Sequence, residues 1–134
     1  MLYRYSAAVR ERFREPRHAG ALAAGPATLT VRAGDLAEGR VLELSLRMTD
    51  AGRIAAARFR AYGCPATIAA GDWLCEWLQG RSLEEAAQFR ARELERALAL
   101  PADKVACAML AERALRAALT SPAPEPEPNV SRRG

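Results

Sequence analysis

The chain has 134 residues, which fits one compact domain, and half of them are hydrophobic, enough for a core without disulfides or metal ions. Its net charge of +4 comes from 20 basic residues interleaved with 16 acidic ones. This scattered pattern is typical of solvated helix faces, whereas nucleic-acid binders concentrate basic residues on one stripe. No stretch reaches the ~20 apolar residues of a membrane span, so we expect neither nucleic acid nor membrane as a partner.

Three cysteines occur in the chain: Cys64, Cys75 and Cys107. An odd number cannot pair completely within one chain, and the N-terminus lacks the apolar core and cleavage site of a secretory signal. The arginine-rich first 17 residues also contain Glu11 and Glu15, which favours an amphipathic helix over an acid-poor transit peptide. We therefore expect reduced thiols in a cytoplasmic protein.

The first half of the chain predicts one helix followed by strands. Helical spacing of Tyr5, Val9 and Phe13 indicates a helix over residues 3–14 that ends before Pro16. Three strands are predicted next, over residues 27–32, 40–48 and 53–62. The second strand alternates apolar and polar side chains, and a short turn joins it to the third. This pattern is typical of an antiparallel meander with one buried face.

The second half of the chain predicts helices. Apolar residues recur at steps of three and four from Pro65 to a stop at Gly80. A capping box, Ser82 with Glu85, opens a second helix through Phe89. A short helical run is predicted at 93–98, and the last long helix is predicted from Pro101 to about residue 120.

Strands followed by helices, without alternation, indicate an α+β fold, a three-stranded antiparallel sheet with helices packed on one face. The proline-rich sequence after Thr120 cannot sustain helix or sheet hydrogen bonds and predicts a disordered C-terminal tail. The expected organisation is a domain over residues 1–120 and a tail over 121–134.

Two of the thiols, Cys64 and Cys107, are predicted at helix starts, where a cysteine can act as a metal ligand or as a nucleophile. Cys107 is predicted near the start of the last helix, where the helix dipole and Lys104 favour the thiolate. Cys64 follows Gly63 at the point where strand becomes helix. The alternative is that both are small buried hydrophobes, because free cysteine is among the most buried residue types. Cys75 lies in the middle of a helix beside large apolar residues, so a packing role is predicted for it.

The surroundings of Cys64 and Cys107 resemble the NifU/IscU-like family of iron-sulfur cluster scaffold proteins. The motif Tyr-Gly-Cys-Pro at 62–65 and the segment around Cys107 match that family, and so does Pro-Arg-His-Ala-Gly at 16–20 in place of Pro-Arg-Asn-x-Gly. Ala-Glu-Gly-Arg-Val at 37–41, which includes Gly39, occupies the place of Ala-Cys-Gly-Asp-Val. The intervals from Glu38 to Cys64 and from Cys64 to Cys107 also agree with the family's cysteine spacing.

The resemblance implies an IscU-like fold and a scaffold that receives sulfur as persulfide from a cysteine desulfurase and takes up iron. Such a scaffold assembles a [2Fe-2S] cluster and passes it to client proteins. It also implies that Cys107 is the sulfur acceptor, with Cys64 and Cys107 as cluster ligands. Leu-Pro-Ala-Asp-Lys at 100–104 resembles the family's chaperone-docking segment, but lacks its second proline and its valine, which argues against that docking.

Three positions depart from the family pattern: Glu38 replaces a cysteine, Arg40 an aspartate and Ala106 a histidine. Two thiolates are half of the four ligands that a [2Fe-2S] cluster takes, and a guanidinium cannot bind a cation. An extended backbone would point Glu38 and Arg40 the same way and let them pair. The rival interpretation is a mixed site of Glu38, Cys64 and Cys107 for zinc or ferrous iron.

Three functional hypotheses follow. The first is an iron-sulfur scaffold or carrier with weakened cluster binding, which is not an enzyme. The second is a non-catalytic adaptor or regulator of a desulfurase or client. A thiol enzyme with Cys107 as nucleophile ranks last, because no neighbouring base is evident. His18, the single histidine, is predicted to be an exposed loop residue.

Overall fold

The computed structural model describes residues 4–121. In chain order the helices and strands are α1 (Ala7–Arg14), β1 (Thr28–Asp35), β2 (Arg40–Met48), β3 (Ile54–Tyr62), α2 (Pro65–Leu78), α3 (Leu83–Ala86), α4 (Ala91–Ala97) and α5 (Val105–Thr120). Residue 3 of the predicted first helix and most of the predicted tail lie outside the described residues.

The three strands form one antiparallel sheet in the order β1-β2-β3. Alternation of apolar and polar residues sets the register, so that Val31, Leu44 and Phe59 are neighbours across the sheet on the inward face. Leu44 is fully buried and Phe59 is 2% exposed. The predicted α+β class with an antiparallel meander is confirmed.

The helices cover the inward face of the sheet. α2 packs on β3, and α5 packs on β1 and β2. Gly71 allows α2 to approach the sheet closely, since a Cβ there would lie 2.6 Å from Cδ2 of Phe59 and 3.0 Å from Leu42. No helix in the range 4–121 is both long and apolar enough to cross a membrane.

Several helix boundaries differ from the prediction. Helix α1 begins at Ala7, because Ser6 caps it, and α4 spans Ala91–Ala97. The capping box of Ser82 and Glu85 is present, but α3 ends at Ala86 instead of continuing to residue 89. The Ala87 and Phe89 carbonyls accept hydrogen bonds from Arg116 on α5, at 3.1 and 3.0 Å, so this segment is held against α5. Before α5, residues 102–104 form a 3-10 turn, so the α-helix itself begins at Val105.

A buried carboxylate ties the segment after α1 to α2. Asp72 is 1% exposed and forms an ion pair with Arg12 at 2.8 Å. Its other oxygen accepts the backbone N–H of His18 at 2.8 Å, and the His18 carbonyl accepts from the N–H of Phe59. His18 is therefore half-buried beside β3, and the prediction of an exposed loop residue is wrong.

Candidate functional site

Cys64 and Cys107, called the sulfur pair below, lie at the end of the sheet where α2 and α5 begin. Their Sγ atoms are 3.7 Å apart, although 43 residues separate them in sequence. The hydroxyl of Thr67 lies 3.6 Å from Cys64 Sγ and 3.4 Å from Cys107 Sγ. Cys107 is 1% exposed and Cys64 is half-buried, so the two thiols differ in access to solvent.

The start of α2 positions Cys64. Cys64 is the N-cap residue, and Pro65 follows at the first helical position, where a missing N–H costs nothing. Gly63 adopts φ +151°, and a Cβ at this position would lie 2.8 Å from the Thr67 hydroxyl and 3.3 Å from Cβ of Arg40. Glycine at 63 thus allows the turn from β3 into α2 and leaves room for the hydroxyl.

The negative charge of the pair is favoured on Cys64. The pKa of Cys64 is lowered to about 4, chiefly because Cys107 donates a hydrogen bond to it, with smaller contributions from the Thr67 hydroxyl and nearby backbone N–H groups. The pKa of Cys107 is raised, because it is the donor to the Cys64 thiolate and is buried. Burial and the neighbouring Cys64 charge thus act on Cys107 against the effect predicted for the helix start.

Lys104 and Tyr5 form one side of the site. Lys104 lies at the N-cap position of α5, with its ammonium 6.0 Å from the centroid of the Tyr5 ring. Its pKa is raised chiefly by the negative charge of Cys64. The pKa of Tyr5 is also raised, first by burial and then by that same charge. The supporting charge predicted for Lys104 thus interacts with the charge of Cys64.

Arg40 brings a positive charge to the site. It begins β2, pairs across the sheet with Asp35, and has its Cβ close to Gly63. Its charge is one of the smaller influences on Cys107, acting to lower the pKa of that thiol. No carboxylate within residues 4–121 forms an ion pair with Arg40. A cation at this end of the sheet is thus close to the sulfur pair and is not neutralised by a salt bridge there.

Glu38 is turned away from Arg40 and binds Arg113 on α5. The two ion-pair distances are 3.0 Å, from Nη1 to Oε1, and 3.4 Å, from Nη2 to Oε2. Residues 36–38 form a 3-10 turn that ends at Gly39, whose φ is +82°. This left-handed residue breaks the extended backbone on which the predicted pairing of Glu38 with Arg40 depended, so that prediction is wrong.

The remaining predicted positions divide between surface and core. Ala106, which the resemblance predicts to stand in the place of a histidine, is exposed next to Cys107. Cys75 is fully buried in the core, and burial raises its pKa, as its predicted packing role requires. In the described part of the chain, no three His, Cys, Asp or Glu side chains are arranged to hold a metal ion. The structure therefore does not bring Glu38 to the sulfur pair as a third ligand.

Thr67 and Arg113 were not among the site residues predicted from the sequence. Thr67 had a local signal, because the third residue of a helix faces its N-cap residue, and Pro65 marks the helix start. Arg113 had no local sequence signal, because it lies 75 residues from Glu38, its ion-pair partner, along the chain.

The fold and the site define an α+β protein that presents two adjoining thiols, one accessible and one buried, at the end of an antiparallel sheet. Thiolates bind soft metals and carry sulfur, so these are the chemistries open to the site. The chain matches the family model of the NifU-like N-terminal domain over residues 4–123, and it belongs to this family.

Curated relatives match most of the chain. The chain is 37% identical over 116 residues to the iron-sulfur cluster assembly scaffold protein IscU of Haemophilus influenzae, which covers 86% of this chain and 92% of that protein. The corresponding protein of Azotobacter vinelandii is 38% identical over the same length, covering 86% of this chain and 91% of that protein. Among solved structures, FiSufU from Fervidobacterium islandicum AW-1 shares the fold, with a TM-score of 0.67, 17% identity and coverage of 89% and 98% of the two chains.

Proposed function

We propose that this chain acts in iron-sulfur cluster assembly as a scaffold or carrier that receives sulfur and iron at the sulfur pair. The pair carries the proposal: two thiols with their Sγ atoms 3.7 Å apart, one of them half-buried at a sheet end. Thiolates are soft ligands suited to iron, and a partly open site can release its cargo. Relatives that are named iron-sulfur cluster assembly scaffold proteins, at 34–38% identity, support this role.

Iron or a cluster, as cargo, is held weakly in this proposal. The pair supplies two of the four ligands that a [2Fe-2S] cluster takes. The charge of Arg40, which pairs with no carboxylate in residues 4–121, opposes a metal ion, and the carboxylate of Glu38 is held by Arg113 on α5. A partner protein or a second copy of the chain would have to supply the missing ligands.

Sulfur acceptance needs only one accessible thiolate, so it is compatible with weak cluster binding. A cysteine desulfurase is the proposed sulfur donor, and iron-sulfur client proteins are the proposed recipients. Acceptance is assigned to the pair as a unit, because Cys107, the acceptor implied by the resemblance, is 1% exposed while Cys64 is half-buried.

A second candidate is a non-catalytic adaptor or regulator that binds the desulfurase or a client. The ion pair of Glu38 with Arg113 favours it, since a surface salt bridge occupies the position where the resemblance implies a thiolate ligand. An adaptor would bind its partner equally well without the sulfur pair.

Anaerobic reconstitution with iron, sulfide and a cysteine desulfurase separates the two candidates. We expect the protein to bind iron and to show visible absorption in the reconstitution mixture, and to lose most of this iron on a desalting column. The matched control is the double variant Cys64→Ala with Cys107→Ala, which should take up neither iron nor sulfur. Identical behaviour of the two proteins, with no sulfur transferred to either, would contradict the scaffold proposal and favour the adaptor.

A further inference from the structure

The sulfur pair has the geometry of two thiols that can react with each other. The Sγ atoms are 3.7 Å apart and need to close to about 2.05 Å for a disulfide. Cys64 is the N-cap of α2 and Cys107 is the third residue of α5, so a disulfide would link the starts of two different helices. Cys75 is buried elsewhere in α2 and has no described sulfur neighbour.

We propose that sulfur enters this site on Cys64 and that Cys107 discharges it as hydrosulfide, which leaves a Cys64–Cys107 disulfide. The inference rests on the proposed function, in that it names what happens to accepted sulfur. Access sets the order of events: Cys64 is half-buried and can meet a donor, whereas Cys107 is 1% exposed and meets only what Cys64 carries. Cys107 is thus a resolving thiol, one that attacks a sulfur carried by its neighbour. It has this role because it contacts Cys64, and burial alone would not provide it.

The step balances in atoms and electrons. The Cys64 persulfide anion and the Cys107 thiol give the disulfide and HS⁻. The bond between the two sulfur atoms of the persulfide breaks, and the bond between the two Sγ atoms forms. The outer persulfide sulfur is reduced by the electron pair that it takes with it, and it receives the proton of Cys107. A dithiol, small or protein-bound, returns the disulfide to the starting state.

Thr67 is the positioning residue for this step. Its hydroxyl lies 3.6 and 3.4 Å from the two sulfurs, so it can donate to whichever of them bears negative charge. Thr67 is 1% exposed, which leaves its hydroxyl few partners besides the pair. The absence of a side chain at Gly63 leaves this hydroxyl in place, since a Cβ there would approach it to 2.8 Å.

The test uses the full chain, an inorganic polysulfide as sulfur donor, and intact mass after an acid quench without reductant. The wild type should lose two hydrogens, about 2 Da, with the disulfide mapped to Cys64 and Cys107 by peptide digestion. The Cys107→Ser variant should gain one sulfur, about 32 Da, on Cys64, and hold about tenfold more of this species than the wild type. The Cys64→Ser variant should show neither change, and Cys75→Ala should behave as the wild type.

A second arm delivers sulfur from a cysteine desulfurase that was loaded with one persulfide and freed of cysteine. If polysulfide gives the disulfide but the desulfurase transfers no sulfur, the proposed function fails and the discharge step stands. If the desulfurase transfers sulfur and the wild type retains it as persulfide, the proposed function stands and the inference is overturned. A wild type that polysulfide leaves unchanged, or that gains sulfur on Cys107 in place of Cys64, also overturns it.

The positioning role of Thr67 has its own readout, the lifetime of the persulfide. Thr67→Val keeps the shape of the side chain and removes the hydroxyl, so conversion to the disulfide should slow by about tenfold. Thr67→Ser should restore the wild-type rate, which a loss of packing alone would not allow. Equal persulfide lifetimes in the valine variant and the wild type would contradict this role.

Discussion

The charge on the sulfur pair depends on which thiol donates the hydrogen bond between them. Cys64 is more open and lies among helix-start N–H groups, so its thiolate is stabilised, while buried Cys107 keeps its proton. The two thiols are consequently unequal reagents. A partner that approaches from solvent meets a thiolate at Cys64, in a site where Lys104 is close enough for that charge to raise its pKa.

This inequality predicts the pH dependence of alkylation. With a Cys64 pKa of about 4, the thiolate fraction is already complete near pH 6, so the iodoacetamide rate at Cys64 should be flat from about pH 6 to 8 and fall only in stronger acid. Cys107 should react slowly throughout this range. Rates are read by peptide mass spectrometry.

The control is Cys107→Ala, which removes the main hydrogen-bond donor to Cys64. The pKa of Cys64 should then rise toward the usual thiol value, and its alkylation should become steeply dependent on pH between about 6 and 8. A flat profile in this variant would mean that helix-start N–H groups, and not Cys107, hold the thiolate.

At the residue scale, the sequence alone indicated which two thiols form the candidate site. It did not indicate that they are in contact or which of them carries the charge. Spacing along the chain cannot fix a contact between two helix starts, so the pairing of Cys64 with Cys107 came from resemblance alone. The predicted contact of Glu38 with Arg40 assumed an extended backbone. It does not form because Gly39 is in the left-handed conformation. The partner that the carboxylate does bind, Arg113, is on a distant helix.

At the scale of elements, α2 is held close to the sheet by a glycine. Gly71→Ala would place a Cβ 2.6 Å from a Phe59 ring carbon, and overpacking of this kind costs about 1–3 kcal/mol. The better helix propensity of alanine offsets up to about 1 kcal/mol. We expect a net loss of about 1–2 kcal/mol in the free energy of unfolding, measured in urea.

Gly25→Ala is the matched control, since nothing lies within 4 Å of a Cβ at that position and its φ is not positive. Its free energy of unfolding should stay within about 0.5 kcal/mol of the wild type. Equal stability of the two alanine variants would contradict the close approach of α2 to β3.

The link between α1 and α2 depends on the buried carboxylate of Asp72. Asp72→Ala leaves the backbone N–H of His18 without this partner and Arg12 with only Glu76, so we expect a loss of about 2 kcal/mol. Asp103→Ala removes an exposed carboxylate paired with Arg4 and should cost less than about 1 kcal/mol. Similar losses in the two variants, by urea unfolding, would mean that Asp72 is not buried as described.

Element prediction succeeded where a pattern is local. The strand at residues 40–48 and the capping box at Ser82 follow from neighbouring residues, and both are present. The extent of α3 is set by Arg116 on α5, which binds carbonyls beyond the helix end. The depth of α2 on the sheet is likewise set by a contact between elements, and neither property is visible in a local window.

At the scale of the whole molecule, the α+β domain brings the ends of β3, α2 and α5 together, and this meeting point is what the family's fold provides. At that point the chain has two thiols, and the charges of Arg40 and Lys104 act on them. Glu38 is bound to Arg113, and Arg40 has no acidic partner among the described residues. The proposed outcome is a protein that accepts sulfur more readily than it retains a cluster.

The most direct test of this claim introduces the residues that the family resemblance implies at three positions, with Glu38→Cys, Arg40→Asp and Ala106→His combined. Loss of the exposed Glu38–Arg113 pair should cost less than about 1 kcal/mol, so the variant should still fold. The measurement is iron per chain after anaerobic reconstitution and desalting, with Arg40→Asp alone as the control.

We predict substoichiometric iron in the wild type, a small gain in the single variant, and near-stoichiometric iron with [2Fe-2S] absorption in the triple variant. A wild type that already retains a full cluster, or a folded triple variant that retains no more iron than the wild type, would contradict the account.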